Sequence, residues 1–173
     1  MIVLLAACGS QSPTPITSPD NSPTGISSPS TVPSGCQPTD QDQYIYHPDR
    51  LSIQASCIRI TGEVLAKIVE ADGDFHVRVL LDSPYQNLVN SANQQQCANN
   101  NQGVRTCGLL VVEPVCVNPV TQSDAVATCA ADPDPLVSLP NVGQHVWMEG
   151  RYVFDLDHGG WAELHPLYRW SVA

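Results

Sequence analysis

The sequence predicts an all-β domain, and three observations lead there. Apolar and polar residues alternate with period two in several runs between residues 57 and 172. Glycines and an Asp-Gly pair punctuate these runs where bends and turns are needed. One stretch, Pro119 to Ala130, has the composition of a short helix.

Taken in order, Cys57 to Val69 (CIRITGEVLAKIV) reads as a strand with Gly62 at a bulge or kink. Asp72-Gly73 then supplies a hairpin turn. Phe75 to Asp82 (FHVRVLLD) follows, with Phe75, Val77, Val79 and Leu81 on one face and His76 and Arg78 on the other. Gly108 to Val115 (GLLVVEPV) is a third strand, apolar enough to be central. Pro119 to Ala130 is the helix, with Thr121 or Ser123 as its cap. His145 to Leu156, broken by Gly150, is the fourth strand, and Trp161 to Val172 is the fifth. Three strands, one short helix and two strands, with glycines bending the long ones, is the order of a five-stranded OB-fold-like Greek-key barrel. A small β-sandwich is the alternative. Residues 83–107 are an insertion between the second and third strands. From Gln86 to Gln102, 11 of its 17 residues are Asn or Gln, which marks a loop that is either functional or loosely ordered.

Ahead of this domain, residues 1–8 read as the remnant of a lipoprotein signal. Leu5-Ala6-Ala7-Cys8 is similar to a bacterial lipobox, in which the thiol of Cys8 takes up lipid. Residues 9–35 follow, 18 of 27 of them Ser, Pro or Thr, and read as a disordered tether. The folded domain is then 36–173, long enough for one modest core. The expected location is extracytoplasmic, with the chain anchored to a bacterial membrane by acyl chains inserted in one leaflet.

With Cys8 lipidated, six thiols remain and 15 pairings are open. Local spacing favours Cys97–Cys107, closing the Asn/Gln loop, and Cys116–Cys129, tying the third strand to the helix. Cys36–Cys57 then pins the start of the domain to its first strand. A cysteine zinc site is the competing use of these residues, but no C-x2-C pair occurs.

The 173 residues carry 7 Lys+Arg against 17 Asp+Glu, a net charge of -10. No basic cluster is available to meet a phosphate backbone, so a nucleic-acid partner is excluded. No run of about 18 apolar residues exists either, which excludes a spanning helix. No nucleophile elbow or phosphate-cradling glycine loop is present. Trp147, Trp161, Trp170, Tyr152 and Tyr168 can stack sugars or bases, but aromatics alternating along strands more often fill cores.

Several segments resemble those of a family of bacterial and archaeal secreted proteins to which no activity is assigned. They are Asp72-Gly73-Asp74-Phe75-His76, Leu110-Val111-Val112-Glu113 with Cys116, Val120 to Ala125, Gly150-Arg151-Tyr152-Val153 with Asp155, and Asp157-His158-Gly159-Gly160-Trp161-Ala162-Glu163-Leu164-His165-Pro166. The resemblance runs from about His47 to Arg169. It implies a shared OB-like domain and supplies no mechanism. The cysteine-closed Asn/Gln insertion departs from the family's pattern.

The final hairpin is richest in chemistry. A three-residue loop, Gly159-Gly160-Trp161, would set Asp157 opposite Glu163 and Asp155 opposite His165, with Phe154, Leu156, Leu164 and Pro166 on the core face. Asp157 opposite Glu163 is a like-charge pair that a divalent cation would relieve. His158 lies at the mouth of this hairpin, and His76 and Glu113 converge from the neighbouring strands of such a barrel. The candidate metal ligands are therefore His76, Glu113, Asp155, Asp157, His158, Glu163 and His165. Mixed carboxylate and imidazole donors suit Zn, Mn or Fe better than Ca. A solvated hairpin tip with structural histidines is the plain alternative. The expected function is a cell-envelope binding module for a small-molecule or protein ligand. Two alternatives stand beside it: a metal-dependent hydrolase with Glu163 or Glu113 as base, and a purely structural or protein-interaction module.

Overall fold

The computed structural model describes residues 35–136 and 138–173. The proposed lipid site at Cys8, and all of the proposed tether except Gly35, lie outside these residues. The described part is mostly β-sheet with a few short helices, as the alternation predicts. Its strands are β1 (Leu51–Val69), β2 (Phe75–Leu81), β3 (Cys97–Asn99), β4 (Arg105–Cys107), β5 (Leu110–Val112), β6 (His145–Asp155) and β7 (Trp161–Val172). Two helical turns, α1 (Ser91–Gln95) and α2 (Val126–Ala130), and three 3-10 turns complete it. Among the described residues no helix is long and apolar enough to cross a membrane.

Five strands close on themselves in the order β1-β2-β5-β7-β6, with β1 paired to both β2 and β6. Every neighbouring pair is antiparallel except β5 with β7. The period-two alternation explains the interior. Ile60 and Val64 of β1, Val77, Val79 and Leu81 of β2, Leu110 and Val112 of β5, Val146 and Met148 of β6, and Ala162, Leu164 and Leu167 of β7 pack as one core. Gly62 is where β1 crosses close under β2: a Cβ there would strike the Leu80 carbonyl oxygen. At Gly150 an added Cβ would sit 2.6 Å from the Pro166 carbonyl oxygen, so only glycine lets β6 approach β7 where the register shifts.

Four expectations change in detail. The first strand starts at Leu51 rather than Cys57: Leu51, Ile53 and Ala55 continue the alternation with Ser52, Gln54 and Ser56, and this half pairs with the end of β6 although it stays half-exposed. The third strand shrinks to Leu110–Val112. The helix is confined to Val126–Ala130, and Ala125 at its N-cap position supplies no side-chain cap. Ahead of it, the amides of Thr121 and Gln122 both donate to the Ala71 carbonyl, so that stretch follows the β1–β2 turn instead of coiling.

The fourth change is the last hairpin. Its loop is the five residues Leu156 to Gly160, closed by Asp155 opposite Trp161. Glu163 therefore faces Val153 across the sheet, not Asp157, and Tyr152, not Asp155, lies near the His165 end. Leu156 leaves the core for the exposed tip, while Leu164 stays inside. Positive φ at both Gly159 and Gly160 gives the loop its shape (72° and 80°), which a residue with a Cβ rarely adopts.

The insertion is ordered. Asn90 caps α1 and exchanges hydrogen bonds with Asn93 in a capping box, and β3 pairs with β4 as a small hairpin. Three disulfides join Cys36–Cys57, Cys97–Cys107 and Cys116–Cys129, the pairing that the local spacing favours.

Candidate functional site

Where the inner faces of β2, β5 and β7 carry the core, their outer faces carry charge. His76 and Arg78 point outward from β2, Glu113 follows β5, and Trp161, Glu163 and His165 alternate outward from β7; all are buried. The register Arg78–Val111–Glu163 puts one row across the three strands, and the next row brings together His76, Glu113 and His165. Sequence alternation thus placed these residues on one wall, and the parallel β5–β7 contact brought them into reach.

Glu113 is the hub. His165 Nδ1 lies 2.8 Å from one of its oxygens, and His76 Nε2 lies 2.6 Å from the other, without hydrogen-bond alignment. His165 Nδ1 also lies 3.1 Å from Glu163, and His76 Nδ1 lies 3.0 Å from Glu70. Trp161 donates its indole N–H to Glu163 at 2.8 Å. Arg50, from the turn before β1, stands 3.7 Å from Glu113 and donates to Asp155 at 2.8 Å. Asp155 in turn meets His158 Nδ1 at 2.9 Å. His158 stacks flat on Trp161 at 4.3 Å between centroids, and His76 meets the same ring edge-on at 5.4 Å.

A residue outside the expected set completes the group. Asp74 is buried, and its carboxylate lies with those of Glu113 and the imidazole of His165 in a cluster whose ligand atoms are within 4.8 Å of one another. The segment that follows β5 holds it there. The Cys116 amide donates to Asp74 Oδ1 at 2.7 Å, Asn118 donates through its side chain to the Asp74 carbonyl, and the Cys116–Cys129 bridge packs on Gly73. Asp74 also falls with Cys116 and Cys129 in a second cluster, but those sulfurs are bonded to each other and hold no free thiolate.

Burial and neighbours set the protonation of the group. Burial pushes Asp74 up to about 7. Burial also raises Glu163 to about 7, reinforced by the charge of Glu113. Burial opposes charge on His165, yet Glu113 and Glu163 outweigh it and raise the imidazole to about 10. Glu113 is itself desolvated, and the two imidazoles beside it more than offset that, holding it well below the usual carboxylate range.

Of the seven expected ligands, His76, Glu113, Glu163 and His165 meet directly. Asp155 and His158 join through Arg50 and Trp161. Asp157 does not join: it sits exposed at the hairpin tip, contributing its backbone amide to Asp155 and its side chain to an open cleft of about 480 Å³ shared with His47, Asp49, Arg50 and Leu156. Asp74 was within the Asp72–His76 segment but carried no periodic signal, since a turn residue points where the tertiary packing sends it. Asn93 was likewise illegible as a positioning residue. Fully buried, it donates to the carbonyls of Leu109 and Ala162 and accepts from the Ala162 amide, while Asn90 donates to the Gly160 carbonyl. These side chains fix the start of β7, and with it Trp161 and Glu163.

Comparison of the chain with protein-family models, curated proteins and solved structures finds no match.

Proposed function

We propose that residues 36–173 form an OB-type binding module on the outer side of a bacterial membrane, with a divalent-cation site at Asp74, Glu113 and His165. The single observation that carries the metal reading is that buried atoms of this cluster are left unsatisfied: Asp74 Oδ2 and His165 Nε2 have no hydrogen-bond partner, and Glu113 Oε1 meets only His76 Nε2, at 2.6 Å and out of hydrogen-bond alignment. Buried polar atoms without a partner ordinarily cost about 1–3 kcal/mol each, so two of them beside a buried carboxylate call for a common partner. Two carboxylates and an imidazole are a donor set that Zn or Mn accepts, with a remaining position for an outside ligand. Binding would displace a proton from His165, so affinity rises with pH.

Support for the OB type comes from the strand order. Counting barrel strands alone, the ring runs first, second, third, fifth, fourth, with third and fifth parallel and a helical turn between third and fourth. Support for an outside location comes from the three disulfides, which persist in oxidising compartments, together with the lipobox-like start.

Isothermal titration of the purified chain with Zn, Mn and Ca tests the site. One equivalent of Zn or Mn is expected to bind, and Asp74→Asn to weaken it by about 100-fold or more, since loss of even an outer partner costs 10–100-fold. Asp74→Asn retains an acceptor for the Cys116 amide, so the turn is kept. Absence of heat with every metal would remove the cation reading.

A further inference from the structure

Beside the carboxylate cluster lies a cation that the metal reading does not use. Arg78 projects from the outer face of β2 two residues after His76, and only 7% of its surface is exposed. Among the described residues no acceptor or carboxylate lies within hydrogen-bonding or ion-pairing reach of it, its Nη1 is buried without a partner, and Glu113, Glu70 and Glu163 act on its charge only from further away. The other arginines packed on this domain differ. Arg50 rests on Asp155, Arg59 and Arg169 grip Glu149 from two sides, and Arg151 reaches Asp42 and the His165 carbonyl. Arg59 also lies over an indole, that of Trp147, yet it keeps its carboxylate. Arg78 has the indole alone: its guanidinium carbon sits 4.6 Å from the centre of the Trp161 ring.

A guanidinium held over an indole makes no hydrogen bond to the ring, which leaves its N–H groups able to grip two oxygens of a planar or tetrahedral anion. A buried guanidinium N–H left without an acceptor is costly, so a fold that keeps one has a use for it. We propose that Arg78 is an anion-binding residue, taking the carboxylate or phosphate group of a small ligand on the N–H groups that the Trp161 indole does not cover. The inference names the ligand chemistry of the proposed binding module, but it rests on Arg78 and Trp161 and not on the metal triad.

The test follows the indole N–H signal of Trp161 by nuclear magnetic resonance in the chelator-treated chain, assigned by its loss in Trp161→Phe. Acetate and phosphate are titrated separately, with chloride at matched ionic strength as control. A saturable shift with acetate or phosphate and none with chloride is expected. Acetate acting alone identifies a carboxylate ligand, and phosphate acting alone a phosphate one. Arg78→Lys, which keeps the charge and folds by the criterion of an unchanged circular dichroism spectrum, should weaken binding tenfold or more, because an ammonium cannot grip two oxygens at once. A shift equal in chloride, no saturation with either oxyanion, or full retention in Arg78→Lys would overturn the proposal. Because metal is absent throughout, failure here leaves the cation site standing, and failure of the metal titration leaves this one.

Discussion

Asp155 and His158 show how a buried side chain recruits an exposed one. Burial raises the Asp155 carboxyl, but the hydrogen bonds from His158 and Arg50 outweigh it and hold it below its ordinary 3.8. Its hydrogen bond to Asp155 raises His158 above its ordinary 6.5. The His158 contribution to stability is therefore complete below about pH 6.5 and is lost as pH rises through its raised folded value. The Asp155 contribution is present above about pH 3.8 and lost as pH falls through its depressed value. Melting temperature of the wild type is expected to decline above pH 6.5 more steeply than that of His158→Asn. Parallel curves for the two proteins across pH 6–9 would show that the contact carries no linkage.

At the scale of elements, the site depends on segments that are not strands. The β1–β2 turn is gripped by the Cys116–Asn118 stretch, with the Asn118 amide donating to Gly73 and the Phe75 amide to Pro114. Removing the Cys116–Cys129 bridge by replacing both residues with serine should cost about 2–4 kcal/mol in urea unfolding. The same variant should bind Zn more weakly than wild type even when fully folded, because the loop that aims Asp74 is released. Unaltered Zn affinity would mean that the backbone hydrogen bonds alone hold Asp74. At the final hairpin the period-two pattern named which face Glu163 and His165 take. The loop length was not legible, because Gly-Gly accommodates several turns and the choice is made by Asn93 and Asn90 reaching in from the insertion.

For the whole molecule, closing the barrel and filling its wall are coupled. The polar wall costs desolvation energy, and a ligand that binds only the folded chain returns stability by mass action. Zn at about 100 times its dissociation constant adds about 2.7 kcal/mol, a rise in melting temperature on the order of 10 °C for a domain of this size. Differential scanning calorimetry should find that rise in wild type and not in Asp74→Asn. An equal rise in both would place the Zn elsewhere.

By itself the sequence determined the all-β class, the rough position of the five barrel strands, the three disulfides, and the side of its strand on which each of His76, Glu163 and His165 lies. Local alternation and short-range spacing suffice for these, because a strand has only two faces and a disulfide only a narrow range of reach. Tertiary structure alone decided that Asp74 joins them and Asp157 does not, that an asparagine-rich insertion clamps the last hairpin, and that Arg78 is left with an indole and no carboxylate. Those outcomes depend on contacts between residues far apart in the chain, whose geometry is set only once β5 and β7 lie parallel and the Cys116–Cys129 loop folds over the β1–β2 turn.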